Sequence, residues 1–380
     1  MHLDKGQNGP YNQPAFRMEG LLDKLKYRWI VFGAIALLFL FLGSEAPLHA
    51  RPKKSNKYPP ETLFDTLPNP PFHLHPLLAP PIPPYNLQTP AKVELGKMLF
   101  FDPRLSRDNS VSCASCHNPE LGFSNGQPVA TGIRGHKGSR NAPTIFNVAY
   151  NKLQFWDGRA GSLEEQALGP IQNPIEMGED LSHLVQKLNG IPGYVEAFKN
   201  VFGTGVTADG IAQAIAAFER TILSNNSPFD RFMAGDDNAL TPTAQHGIRV
   251  FNEKGKCVTC HNGPNFTDGK FHALGLPKRD GLPNDLGRSV ITQDEAEKEQ
   301  FKTPTLRNVA QTAPYMHNGM FATLEEVVEF YVKAEPTTSP RHPLLTPLSL
   351  LTDQDKKDLV EFLQSLTGEP IKMTPPKLPE

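Results

Sequence analysis

Cys113-Ala-Ser-Cys116-His117 and Cys257-Val-Thr-Cys260-His261 hold all four cysteines of this 380-residue chain in two copies of one pentapeptide. In Cys-x-x-Cys-His the two thiols can add across the vinyl groups of a haem as thioethers, and the histidine then sits beneath the iron as proximal ligand. A zinc ribbon also uses paired cysteines, and a thioredoxin-like dithiol uses one pair. Neither needs a histidine directly after each pair, and a redox dithiol has no use for a distant second copy. No cysteine is left for a disulfide. The spacing predicts two covalent c-type haems, with His117 and His261 on iron.

Each motif needs a fold to carry it, and the chain from about Thr89 is long enough for two domains of ordinary size. Each half follows one plan: a helix, the haem motif, loops and a closing helix. Thr89–Phe100 opens the first half, with Val93, Leu95, Met98 and Leu99 at helical spacing and Pro90 at the start. Ala208–Leu223 closes it, with Ile211, Ile215, Phe218 and Ile222 on one face. Thr241–Phe251 opens the second half, with Thr241 as N-cap and Pro242 in the first turn. Asp353–Leu366 closes it with Leu359, Phe362, Leu363 and Leu366. Strand signals are sparse. The expected fold is mainly α: two tandem cytochrome-c-like domains, 89–235 and 236–370, joined near Ser227–Asp237 and followed by a tail over 371–380.

Ahead of them, Lys24, Lys26 and Arg28 precede an apolar run from Trp29 to Gly43, then small residues near Ser44–Ala46 and Ala50. That order makes 1–50 an export signal or N-terminal membrane anchor, the run being shorter than the ~20 residues a spanning helix prefers. Residues 51–88 are dense in proline and read as an extended linker. Export points to the periplasm, outside the bacterial inner membrane, with a tether left open. A formal charge of −2 argues against a nucleic-acid partner.

Beyond the haem motifs, several blocks resemble the bacterial dihaem cytochrome c peroxidases and their MauG-type relatives over about Thr89 to Gly368. They are Leu95–Arg104, Arg140-Asn-Ala-Pro-Thr144, Phe155-Trp-Asp-Gly-Arg-Ala160, Gln166–Met177, Phe218-Glu-Arg-Thr-Ile222, Phe301–Asn308 and Ala313–Gly319. The resemblance implies peroxide chemistry at the His117 haem and electron storage at the His261 haem. It makes Glu176 the distal proton carrier, with Gln166 and Pro170 in the same pocket. Trp156 falls between the haems, where its π system could couple them. Asn141, Thr312 and Pro314 match a calcium site made of oxygen ligands and water.

In the standard peroxidases a methionine is the sixth ligand of the second haem. The corresponding residue here is Tyr331, as in MauG-type proteins, with Met316 as the rival by residue type. A phenolate stabilises ferric iron, whereas methionine raises the potential. His136, ahead of Arg140-Asn141, is a candidate removable ligand of the first haem, although its spacing is shorter than in the standard enzymes. The MauG-type tryptophan two residues before the second motif is absent: Gly255 stands there.

Three functions fit. The first is a peroxidase reducing hydrogen peroxide to water with electrons from a small periplasmic donor such as a cytochrome c or cupredoxin. The second is a MauG-like enzyme that uses peroxide-derived high-valent iron to oxidise a protein or organic substrate. The third is a non-catalytic dihaem electron carrier, against which the distal block argues, because a carrier needs no proton relay.

Overall fold

The computed structural model describes residues 77, 79–333, 339–345, 348 and 350–380. The expected export segment 1–50 and most of the linker 51–88 lie outside the described residues. Helices dominate the rest, and the one sheet among the described residues is an antiparallel pair, β1 (Phe271–Ala273) with β2 (Gln300–Lys302).

Numbering helices of six residues or more, the first half holds α1 (Pro90–Phe101), α2 (Leu163–Gln172), α3 (Leu181–Asn189), α4 (Pro192–Phe202) and α5 (Ala208–Glu219). The second holds α6 (Pro228–Met233), α7 (Pro242–Arg249), α8 (Leu324–Lys333) and α9 (Asp353–Gln364). The openers start where the sequence places them. The Thr89 hydroxyl accepts from Lys92 N–H, the Thr241 hydroxyl accepts from Ala244 N–H, and each cap is followed by proline. A reciprocal capping box between Thr352 and Asp355 starts α9.

In both halves the opener crosses the closer at backbone contact. A Cβ on Gly96 of α1 would lie 1.9 Å from the Ala214 carbonyl oxygen of α5, and one on Gly247 of α7 would lie 2.1 Å from that of Asp358 of α9. Only glycine permits either crossing. Around the second crossing, Phe229, Ile248, Phe251, Phe266, Phe362 and Leu366 form one core. Phe362 touches three of those rings, so truncating it to alanine costs about 3–5 kcal/mol.

Four expectations change. α5 stops at Glu219, because Thr221 and Ile222 close tighter bonds to Phe218 and Glu219. α7 stops at Arg249, and the chain widens into a π turn over Val250–Lys254. Ser227–Asp237 contains α6, whose Phe229 and Phe232 belong to the second core, so the passage between cores precedes Phe229. Residues 371–380 return to the first half: Ile371 and Met373 pack on its core, and Arg104 Nη2 donates to Pro379 O at 3.0 Å. The end of the linker is also docked, with buried Asn86 donating to Glu164 Oε1 at 2.6 Å and accepting from Lys92 Nζ at 2.9 Å.

Candidate active site and haem-binding cavity

Both Cys-x-x-Cys-His segments lie on the wall of one largely apolar cavity of about 950 Å³. Each begins a short helical turn, Cys113–Cys116 and Cys257–Thr259, and all four thiols are unbridged. His117 Nδ1 lies 3.2 Å from Phe123 O, and His261 Nδ1 lies 3.0 Å from Phe266 O. A Nδ1–H donated to a carbonyl fixes the ring and leaves Nε2 for a metal. Burial pushes both imidazoles below the ordinary histidine range, toward the neutral form that ligates iron. Phe123 and Phe266 hold φ of 54° and 51°. Such left-handed backbone costs bulky residues of order 1–3 kcal/mol and aims each carbonyl at its histidine.

A zinc ribbon, which takes both thiols of each pair into one cage, does not fit these motifs. The one His/Cys/carboxylate set that converges among the described residues is Cys260, Asp268 and His272, and neither motif forms a cage of its own. Two covalent haems do fit: paired free thiols, oriented neutral histidines and an apolar cavity shared by both.

On the first-haem side, Glu176, Gln166 and Pro170 line the cavity. α2 carries Gln166 and Pro170, and the turn after it carries Glu176. That turn is held by Glu176 N–H on Asn173 O at 3.0 Å and by Ile133 N–H on Glu176 O at 2.8 Å. Asn173 Nδ2 donates to Glu176 Oε1 at 2.8 Å. Burial raises the Glu176 carboxyl above the usual range, opposed by Arg159 and Asn173. Its charge is felt at Cys116, which places it beside the first motif.

Trp156 is half-buried on the cavity wall, and its Nε1 donates to Asn141 O at 3.0 Å. Asn141, Thr312 and Pro314 all line the cavity; Asn141 Nδ2 donates to Gln127 O at 2.9 Å, leaving Oδ1 as its other polar end. Tyr331, on α8, and Met316 both reach the same cavity. Burial together with the Cys257 and Cys260 sulfurs pushes the Tyr331 phenol upward, so Tyr331 belongs beside the second motif. His136 differs: it lies on an exposed turn and is not part of the cavity wall.

Several groups escaped the sequence reading. Glu219, at the end of α5, is buried against Cys113 with Oε2 unpartnered, and burial pushes its carboxyl up to about 8. Arg307 is buried and clamps Asp230 through two nitrogens while its Nε donates to Pro264 O. A repeated Pro-Thr-x-x-Asn-Val-Ala, at 143–149 and 304–310, could have pointed to the carbonyl shelves. The Pro143 and Pro304 carbonyls both lie at the proximal histidines. The side chains of Asn147 and Asn308 converge on Ser224.

Comparison with known proteins agrees with this geometry. Residues 90–238 match the family model described as di-haem cytochrome c peroxidase, and residues 244–367 match that of cytochrome c. A methylamine utilization protein MauG of Methylorubrum extorquens is 41% identical over 303 residues, covering 79% of this chain and 84% of the relative. A cytochrome c551 peroxidase of Pseudomonas aeruginosa is 41% identical over 293 residues, covering 75% and 81%. Among solved structures, a MauG-like protein associated with microbial copper homeostasis superposes with a TM-score of 0.71 at 32% identity, covering 77% of this chain and 94% of that one. The diheme peroxidase BthA of Burkholderia thailandensis gives 0.67 at 27%, covering 80% and 94%. With two haem motifs on one cavity and these relatives, the chain belongs to the dihaem cytochrome c peroxidase and MauG family.

Proposed function

We propose that this protein is a periplasmic dihaem peroxidase that reduces hydrogen peroxide to two waters, taking two electrons from a small donor such as a cytochrome c or cupredoxin. The observation that carries the reading is Glu176: a half-buried carboxyl of raised pKa beside Cys116, on the same cavity wall as Gln166 and Pro170. When bound, the haems supply the electron chemistry that breaks the O–O bond and stores reducing equivalents. The chain relays the proton within the peroxide, and the two further protons that complete two waters come from solvent. Cleavage to water needs a proton taken from one peroxide oxygen and given to the other. Asn173 occupies Glu176 Oε1, so Oε2 is the atom that accepts and returns it. Gln166 orients the oxidant from α2.

Tyr331 is our choice for the sixth ligand at the second haem, over Met316, because its phenol lies by both cysteines of that motif. Tyr331 would hold the second haem's iron through its phenol oxygen, the bound cation supplying the charge that would offset the cost of ionising a phenol there. Asn141 Oδ1, the carbonyls of Thr312 and Pro314 and water make a hard-oxygen site suited to calcium. Trp156 lines the same cavity as both motifs and would serve as the electronic bridge.

Tyr331 also favours a second reading, a MauG-like oxidation of a protein or organic substrate. Steady-state peroxide consumption by the holoprotein with a reduced cytochrome c or cupredoxin separates the two. Turnover at tens per second or more supports the peroxidase. Slow donor oxidation beside long-lived oxidised protein favours the MauG-like activity, and no reaction with peroxide removes both.

A further inference from the structure

Lys302 ends β2, opposite Phe271 of β1, and its N–H donates to Trp156 O at 2.8 Å. Two residues on, the Pro304 carbonyl lies at His261. The Lys302 side chain faces the cavity that both haem motifs share. The arginines on that wall already have partners: Arg140 pairs with Asp157 and Asp285, Arg159 pairs with Asp157, and Arg279 donates to the carbonyls of Asn318 and Gly319. Lys256 and Lys278 are exposed to solvent. Of the cations on that wall, Lys302 alone is withdrawn from the surface, half-buried, with no carboxylate against it among the described residues, and loss of water around it pulls its ammonium down to about 8.

A cation partly withdrawn from water without a partner costs free energy in proportion to its burial, and a counter-ion brought into the cavity offsets that cost. Each haem would carry two propionate carboxylates, and a haem held in this cavity could bring one to its wall. The alternative, a lysine stem snorkelling to bulk solvent, is set against a residue that lines the shared cavity and whose backbone is tied to Trp156. We propose that Lys302 is a haem-carboxylate site: its ammonium pairs with a propionate between the two haem motifs, holding that haem against Trp156 and raising its reduction potential. The proposal depends on the two haems and not on peroxidase activity, so it would hold equally in an electron carrier.

The test uses the holoprotein as wild type, K302Q and K302R, with covalent haem content measured first. Resonance Raman propionate-bending bands and spectroelectrochemical midpoint potentials are then recorded for each haem. In K302Q one haem should show a displaced propionate band and a lower potential, since losing a nearby positive charge favours ferric iron; K302R should restore both. Bands and potentials that do not move in K302Q overturn the proposal. If K302Q loads too little haem to measure, a crystal structure of the wild-type holoprotein decides. Lys302 Nζ within hydrogen-bond distance of a propionate supports the assignment, and Nζ directed away from every propionate refutes it.

Discussion

The Trp156 indole nitrogen donates to the Asn141 carbonyl oxygen at 3.0 Å, tying the aromatic ring on the cavity wall to the residue whose side chain we assign to calcium. Asn141 N–H in turn donates to His317 O at 2.7 Å, in the loop that follows Thr312 and Pro314. Loop and ring are thus linked through Asn141, whose side chain belongs to the proposed calcium site.

Emptying the proposed calcium site is therefore expected to act at a distance. Chelation, or Asn141→Ala, is expected to lower peroxide turnover roughly tenfold to a hundredfold, the scale of a small misplacement in a reacting array. Both haems should stay attached. Steady-state rates before chelation, after it and after calcium is restored check this. Recovery is expected for the wild type and not for the variant.

Tyr331→Met should raise the potential of the second haem, because thioether ligation favours ferrous iron and phenolate ligation favours ferric. The wild-type ferric spectrum should lack the weak near-infrared band of methionine ligation, and the variant should show it. That band in the wild type would transfer the assignment to Met316.

Arg307 supports the second proximal histidine through the chain. Its guanidinium grips Asp230 and the Pro264 carbonyl, just ahead of the strained Phe266 whose oxygen holds His261. Arg307→Met should cost about 3–5 kcal/mol in denaturant unfolding, since it leaves a buried acceptor pair unmatched. Asp230 adds a pH signature. The Arg307 partner holds its carboxyl below the ordinary range against the cost of burial. Its contribution is thus present above the unfolded value near 3.9 and lost as pH falls through the folded one. Comparing wild-type and Arg307→Met unfolding across that acid range should show the difference between them shrinking.

Glu176 predicts the pH profile of activity. Its raised carboxyl accepts a proton only when ionised. The rate of reaction with peroxide should rise with pH through a value above that of an ordinary glutamate, and fall on the acid side. Stopped-flow rates from pH 4 to 8 report this limb, which should be absent in Glu176→Gln.

Much of the site was legible because its chemistry is local in sequence. Five consecutive residues specify each haem, and the caps at Thr89 and Thr241 mark the helices that follow. Glu176, Trp156, Asn141 and Tyr331 were reached through resemblance, and the fold brings all four to one cavity. What stayed hidden depends on partners far along the chain. The role of Lys302 needs the absence of a nearby carboxylate, which no linear pattern encodes. Residues 371–380 looked like a tail because prolines and lysines resemble a solvated end, yet Ile371 and Met373 find apolar cover in the first half. The π turn after α7 is an i→i+5 closure, Gly255 N–H on Val250 O at 2.7 Å, which apolar periodicity does not distinguish from one more helical turn. His136, a reactive residue type ahead of the Arg140-Asn141 block, stands on an exposed turn, and residue type alone does not tell a ligand from a surface histidine.

The central claim, that a carboxyl beside one of two haems moves the proton that breaks peroxide, is tested most directly by mixing ferric and half-reduced Glu176→Gln holoprotein with stoichiometric peroxide. Haem content should equal that of the wild type, and the bimolecular rate should fall by at least a hundredfold. A wild-type rate in a fully loaded variant would contradict the account.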